Sequence, residues 1–501
     1  MTDMLLGVDA GTSGIKVCAF DPAGRLIAKA HRGVPVITPY PLWAEIDLAR
    51  YWDSTAEAIA EVIGRVGPVA SVGLATTCPT TVVLDGNFDP VRPAMLYLDG
   101  RCDPDIARIV GGDDAAVFAC TGNRASPSVC WAANLAWMAR CEPGAWARVR
   151  HVSMLNGFLA HRLTGNIAMD PTQASYSGLY RVGTGGLEWD AEMVRLWGID
   201  PALLPEIREP AAPIGGVADA AAAVTGIAAG TPVALGAADT ASAAFALGQT
   251  RAGSAFESVG TSGVITFCLD RPDFEMTFLN RRHIAPGRFL AHGAMSTLGG
   301  AFGWLNNKVW PELRTLAELE RLAAESVPGA NGLIFLPYLA GERSPIWDTE
   351  ASGAWIGLRL SHTRQDMVRA VFEGAAFGLR QILERAEAQW GGRPPRLVGV
   401  GGGARSRFWA QIKADVLNLE YAMTDMADAS ALGAALMGAV AAGRFSGPED
   451  PALPTVAFDG QPIRPGPEAR RAAYDRMYGV FSGVYPALRG AMHDLAAASA
   501  S

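Results

Sequence analysis

The tetrad Gly-Thr-Ser-Gly occurs twice in the 501 residues, at Gly11–Gly14 and half a chain later at Gly260–Gly263, each time between strand-forming residues. The first copy reads VDAGTSGIKVCAF from Val8 to Phe20 and the second ESVGTSGVITFCL from Glu257 to Leu269, so the likeness extends into the apolar flanks. A tight Gly/Ser/Thr turn lets backbone N–H groups converge on phosphate oxygens, because glycine allows approaches that a Cβ forbids. Two such turns in related halves predict an internally duplicated fold that clamps a nucleotide between two lobes.

A chain of this length exceeds one hydrophobic core, and the repeat divides it into 1–248 and 249–501, with the boundary near Gln249 after the Ala/Gly/Pro-rich stretch 210–236. Half the residues are apolar and 18% charged, the balance of a fully folding globular enzyme. A formal charge of −8 without any Lys/Arg run argues against nucleic acid or an anionic membrane as partner. The seven scattered cysteines show no Cys-x-x-Cys spacing and read as reduced thiols. The start of the chain carries Asp3 and Asp9 and no apolar segment of signal length, which points to a cytoplasmic protein. The seven histidines show no metal-like clustering.

Met4–Val8, Ile15–Phe20 and Leu26–Ala30 read as three consecutive antiparallel strands. Asp47 then caps a helix whose Leu48, Tyr51, Trp52, Thr55, Ile59 and Val62 recur at helical spacing, and a strand follows at Ser71–Ala75. A meander followed by helix–strand alternation is the pattern of an α/β lobe with a mixed sheet, the order of the ribonuclease-H-like lobes of actin and hexokinase. Further helices are expected from Arg364 to about Gln389, from Ser430 to Ala442, and from Glu468 to Leu495, the last folding back on the first lobe.

Asp9 ends a strand that should be buried along its length. It reads as a carboxylate facing Mg²⁺, which takes one or two protein carboxylates beside nucleotide phosphates, or as an Asp capping its own turn. Thr12, Ser13 and Lys16 would lie on the phosphate side, although Lys16 fits a solvated strand lysine equally. Asp239 follows the strand Pro232–Leu235 and precedes a small-residue helix, the position of a general base at a strand's carboxyl end or of a simple N-cap. Asp99 and Arg101 in YLDGR could hold ligand hydroxyls through charge-assisted bonds, or form a surface salt bridge. VGVGGGA, Val398–Ala404, fits an adenosine-seating turn, close helix–sheet packing, or a dinucleotide fingerprint with Glu420 as its acid.

Gly353-x-Trp355-x-Gly357-Leu358 followed after seven residues by Asp366-Met367-x-x-Ala370-Val371-Phe372-Glu373 resembles the second signature of the FGGY carbohydrate kinases. FLPYLAGERSP, VGVGGGARSRFW and DASALGAALMGA stand in that family's order, and GVDAGTSGIK, YLDGR, CTGN and ESVGTSG are closest to its xylulokinase branch. The resemblance implies two actin-like lobes, ATP and Mg²⁺ in the cleft, and phosphoryl transfer to a hydroxyl of a ketose such as D-xylulose. Another ketose or polyol of the ribulose or erythritol type is the alternative, and a non-catalytic actin-like ATPase switch a rival. It implies Asp239 as base and Asp9 on the metal side. Gly11, Thr12, Ser13, Gly260, Thr261 and Ser262 would form the phosphate turns, and Gly401, Gly402, Gly403 and Ala404 the adenosine loop. The family also suggests a homodimer. Where xylulokinases carry Met-His for the sugar, this chain has Cys78-Pro79, with Thr77 before it; Asn134 and Gly157 also depart from the pattern. All of these lie on the sugar side, which points to altered specificity.

Overall fold

The computed structural model describes residues 3–499 except 113, 425, 427, 457 and 459. The chain forms two compact units: Met1–Thr250 with Leu269–Leu290 and Asp428–Val456, and Arg251–Cys268 with Ala291–Ala427 and Ala457–Ser501.

In the first unit, β1 (Leu5–Ala10), β2 (Gly14–Phe20), β3 (Leu26–Gly33), α1 (Leu48–Val66), β4 (Ser71–Thr76), β5 (Pro213–Gly216), β6 (Pro232–Ala234), β7 (Ala237–Ala238) and α2 (Asp239–Ala246) build the site-bearing layer. The sheet runs β3-β2-β1-β4-β6-β5, with β7 also paired to β4. β1–β2 and β2–β3 are antiparallel, whereas β4 runs parallel to β1 and to β6. Every residue of β1 is buried, as its unbroken LLGVDA run requires of a central strand. Asp47 caps α1 by accepting from Ala49 and Arg50 N–H, and α1 buries the predicted stripe from Leu48 to Val62.

The Ala429–Ala441 helix covers the other face of this sheet at very close range. Gly7 and Gly73 are register partners on β1 and β4, and a Cβ there would stand 1.9 Å from the Ala431 carbonyl oxygen and 1.8 Å from that of Ala434. Backbone therefore rests on backbone. This explains a departure from the single cut near Gln249: the Ala/Gly-rich segment near residue 430 returns to the first unit because only small residues fit that glycine-floored face. Leu269–Leu290 returns as well, held where Asn280 N–H donates to Asn123 Oδ1 (2.7 Å) and Arg282 N–H to Ser175 Oγ (2.9 Å).

In the second unit, β8 (Ala255–Val259), β9 (Gly263–Leu269), β10 (Phe289–Met295), α3 (Arg364–Trp390), β11 (Arg396–Val400), α4 (Arg407–Leu417), β12 (Glu420–Met423) and α5 (Glu468–Ser499) follow the same plan. The path β10-β9-β8-β11-β12, with β8 antiparallel to β9 and parallel to β11, repeats β3-β2-β1-β4-β6. The duplication signalled by the tetrads thus extends to two whole sheets. Glu257, on β8, is fully buried beneath Lys413 Nζ (2.7 and 2.8 Å) and the Tyr421 hydroxyl (2.7 Å). α5 belongs to the second unit, where Tyr474, Tyr478 and Phe481 pack on Phe377 of α3. Among the described residues no helix is long and apolar enough to cross a membrane.

Candidate active site

The first glycine turn joins β1 to β2 through Gly11 N–H donating to the Gly14 carbonyl at 2.9 Å, with Thr12 and Ser13 at its tip. It is tied down from two sides. Tyr51 of α1 donates its hydroxyl to the Gly11 carbonyl (2.7 Å), and Thr77 N–H donates to the Ala10 carbonyl (3.0 Å) while its hydroxyl meets that of Thr12 (3.2 Å). The second turn is one residue tighter, Gly260 N–H donating to the Ser262 carbonyl (3.0 Å), and Leu298 and Gly300 N–H both donate to the Thr261 carbonyl (3.0 and 2.8 Å). Gly401 holds φ at 93°, and a Cβ there would stand 2.6 Å from the Val259 carbonyl oxygen; one on Gly403 would meet the Val259 side chain at 2.4 Å. The Gly401–Ala404 loop is therefore pressed onto the end of β8, beside Gly260, Thr261 and Ser262. Glu420, the acid a dinucleotide fingerprint would need, pairs with Arg464 at 3.1 Å.

Asp9 and Lys16 are register partners across β1 and β2, and their charges meet at 3.1 Å. Lys16 is thus not a free solvated lysine: its ammonium also reaches Asp428 (3.3 Å), whose second oxygen takes Lys29 (3.4 Å). Burial raises the Asp9 carboxyl above the usual range, with Asp239 and Asp428 adding to the rise and Lys16 opposing it. Burial pulls Lys16 down, but Asp9 and Asp428 more than offset that and its value rises. The capping reading of Asp9 is not what its contacts describe, since its recorded partner is Lys16.

Asp239 opens α2 as its first helical residue; the N-cap position is Ala238, without a side-chain cap bond. Its Oδ1 accepts from Thr240 N–H (2.6 Å) and from the Thr240 hydroxyl (3.0 Å), and among the described residues no donor meets Oδ2. The backbone beneath is fixed by a relay, Ala238 N–H donating to Thr172 Oγ1 (2.8 Å) and Thr172 donating in turn to Asp170. Asp170 is fully buried, accepts also from Asn156 Nδ2 (2.6 Å), and burial raises its carboxyl to about 7. The charge of Asp239 acts on Asp9, Tyr51, Cys78, Tyr176 and Arg281, all of them in the first unit.

Thr77, Cys78 and Pro79 follow β4 through a cis Cys78-Pro79 peptide, and the Cys78 thiol lies 3.8 Å from the Gln173 carbonyl and 3.9 Å from Met154 Sδ. Burial pushes that thiol well up, so it is no nucleophile. Asp99 and Arg101 are corrected in one respect: they are not a surface bridge. Arg101 donates Nε and Nη2 to Asp99 (2.7 and 2.6 Å) and Nη2 to Glu45 (2.6 Å), all three side chains buried, with its guanidinium 3.5 Å over the half-buried Trp43 ring. Asp99 also takes Ala44 N–H (2.7 Å), so these side chains spend most of their bonding capacity bracing the loop.

Sequence reasoning missed Asp428, Tyr51, Gln173 and Arg281. Only Asp428 carried a signal, at the head of DASALGAALMGA. Among the described residues no group of three or more His, Cys, Asp or Glu is set to hold a metal by itself. Asp9 and Asp428 share Lys16 and Lys29, and the charge of Asp239 also acts on Asp9, so the first turn keeps net negative charge, which suits a cation carrying its own waters and phosphates.

Residues 4–246 match the N-terminal domain and residues 255–442 the C-terminal domain of the FGGY family of carbohydrate kinases. The xylulose kinase of Staphylococcus epidermidis is 28% identical, covering 98% of this chain and 98% of that protein. That of Escherichia coli K12 is 29% identical over 88% of this chain and 90% of its own. The crystal structure of xylulose kinase from Rhodospirillum rubrum superposes with a TM-score of 0.88 at 32% identity, covering 98% of this chain and all of that one. Duplicated sheets, paired glycine turns and an acid at the head of α2 agree with these matches, and the chain belongs to the FGGY family of carbohydrate kinases, with their two-domain actin/hexokinase-like fold.

Proposed function

We propose that this sugar kinase transfers the γ-phosphoryl group of ATP to a hydroxyl of an open-chain carbohydrate, with Asp239 as the base. The observation that carries the reading is the carboxylate of Asp239, one oxygen anchored on Thr240 and the other open, set on a backbone that Thr172 and Asp170 hold in place. Asp239 Oδ2 accepts the proton as the acceptor oxygen bonds to phosphorus and the bond to the β-phosphate oxygen breaks, releasing ADP. In the first unit Gly11, Thr12 and Ser13 are the phosphate turn, with Lys16 offsetting phosphate charge; in the second unit, taken by itself, Gly260, Thr261 and Ser262 are a phosphate turn and Gly401, Gly402, Gly403 and Ala404 an adenosine seat. Mg²⁺, when bound with the nucleotide beside Asp9, supplies the charge neutralisation that phosphoryl transfer needs. Positioning and fixed charge do most of the work, as expected where covalent catalysis has no part.

Thr77, Cys78 and Pro79 face the acceptor in this reading. A ketopentose such as D-xylulose is the reference acceptor, because relatives matching the whole chain are named for xylulose; ribulose- and erythritol-type acceptors stand beside it because Cys78-Pro79 replaces the Met-His pair. The test is coupled ADP release with four- to six-carbon ketoses, polyols and sugar acids. ADP release that depends on one acceptor is expected. Equal release with none present would instead favour an ATPase switch.

A further inference from the structure

Glu342 stands in the stretch FLPYLAGERSP, and the transfer reaction described above gives it no part. It is 3% exposed, a carboxyl in the interior of the second unit. Its Oε1 accepts two backbone N–H groups, from Arg343 (2.8 Å) and from Ser296 (2.6 Å). Ser296 directly follows β10, so the second bond ties this loop to the end of a strand. Two more bonds stitch the same loop to β10: Arg343 Nη2 donates to the Met295 carbonyl (3.1 Å) and Ser344 N–H to the Ala294 carbonyl (2.9 Å). What Ser296 leads into is the support of the second glycine turn. Leu298 and Gly300 donate their N–H groups to the Thr261 carbonyl (3.0 and 2.8 Å) and Gly299 its own to the Gly260 carbonyl (3.1 Å), and a Cβ on Gly299 would stand 2.3 Å from that Gly260 oxygen. Leu298 is fully buried, whereas Gly260 and Thr261 are exposed at the tip.

The connector 296–300 thus takes up the carbonyls of the turn from behind, and a turn held that way keeps its N–H side for an anion. Burial raises the Glu342 carboxyl to about 7, against the pull of its two N–H bonds, of the Arg343 charge and of the Ser296 hydroxyl. Tyr338 faces it as well and feels its charge, and Tyr485 of α5 stands edge-on behind Tyr338 (5.8 Å). Asp348, bridged to Glu342 through the backbone, has its own carboxylate on His493 of α5 (2.7 Å). Near neutral pH Glu342 therefore passes between a neutral form and an ionised one, whose bonds to Ser296 and Arg343 are charge-assisted and roughly twice as strong.

We propose that Glu342 is a positioning residue for the nucleotide: through the Ser296 N–H it holds the connector, and through the connector the second glycine turn, in the shape that receives phosphate. The proposal rests on the reading of Gly260, Thr261 and Ser262 as a phosphate turn and adds to it a residue that touches neither substrate. Wild type, Glu342→Gln and Glu342→Asp are compared as full-length proteins from pH 6 to pH 8. The readouts are coupled ADP release with the acceptor that supports most turnover and, without acceptor, calorimetric ATP binding. Glutamine keeps the accepting oxygen and loses the charge. The ratio of the Glu342→Gln KM for ATP to that of wild type should be about 5 to 30 at pH 8, the step from two charge-assisted to two neutral hydrogen bonds, and should fall toward one at pH 6. Titration of the nucleotide itself is common to both proteins and drops out of the ratio, and the acceptor KM should stay put. Glu342→Asp keeps the charge but stops one methylene short of the Ser296 N–H, so its KM for ATP should be raised at both ends of the range; this arm decides if Glu342→Gln fails to fold. Because the folded carboxyl is raised, the stability it contributes is fully present below the ordinary carboxylate range and lost as pH rises through about 7, so Glu342→Gln should melt no lower than wild type at pH 8. A lower melting temperature with unchanged ATP affinity, or a KM ratio that does not vary with pH, would overturn the positioning role and leave the kinase reading standing. Failure of wild type to bind ATP at any pH would overturn the phosphate-turn reading itself.

Discussion

At Asp9 the proposed role in transfer and the contribution to stability can be told apart. Its carboxyl is raised by burial, then by Asp239 and Asp428, against the pull of Lys16, so the folded state holds the proton more tightly than the unfolded chain does. A raised carboxyl contributes stability that is fully present below the ordinary carboxylate value and lost as pH rises through the folded one. Asp9→Asn should therefore remove that loss, giving urea-unfolding stability at pH 7 equal to or above wild type, while turnover falls about 100-fold or more. Lower stability with normal turnover would make Asp9 a structural residue. His283 has the opposite sign. Burial lowers it to about 4; Nδ1 accepts Ala285 N–H (2.8 Å) and Nε2 donates to the Gln249 carbonyl (3.2 Å), the neutral ring's arrangement. The stability it contributes is present above about 6.5 and lost as pH falls toward 4, roughly 3 kcal/mol in all. His283→Gln should flatten unfolding free energy against pH across that window; an unchanged slope would contradict the assignment.

Elements, more than single side chains, decide how Asp239 is aimed. The Ala429–Ala441 helix touches β1 and β4 through Gly7 and Gly73, where a Cβ would collide with carbonyl oxygens of the helix. Gly7→Ala or Gly73→Ala should destabilise the first unit by about 3 kcal/mol or more, since neither backbone can move apart cheaply. Gly33→Ala, with nothing within 4 Å of the added methyl, serves as the neutral control. Equal melting temperatures for Gly7→Ala and Gly33→Ala would refute the close packing. Local elements were legible in the sequence wherever periodicity and caps agreed, as in α1 behind Asp47 and in the strands around Gly11. Arg281 was not legible. Nothing in Asn280-Arg281-Arg282 tells which guanidinium stacks on Tyr176 and which donates to Tyr180 until the strand is placed against those rings. Asp99 and Arg101 misled for a related reason, because an acid and a base two residues apart look the same in a surface loop as under Trp43.

At the scale of the whole chain, the repeated tetrad announced two related sheets, and both took the same strand order. The sequence order hid the interleaving, since the return of Leu269–Leu290 and Asp428–Val456 to the first unit depends on tertiary fit: hydrogen bonds at Asn123 and Ser175, and a floor of glycines. It also hid the one-residue difference between the two turns, because identical tetrads close on different neighbours. The family matches give the reaction class, and the account of how this chain performs it rests on Asp239. The direct measurement is acceptor-dependent ADP release by Asp239→Asn beside wild type, with ATP binding followed by thermal shift in the same samples. The account predicts turnover reduced about a thousandfold with ATP-dependent stabilisation unchanged; near-normal turnover in the variant would contradict it.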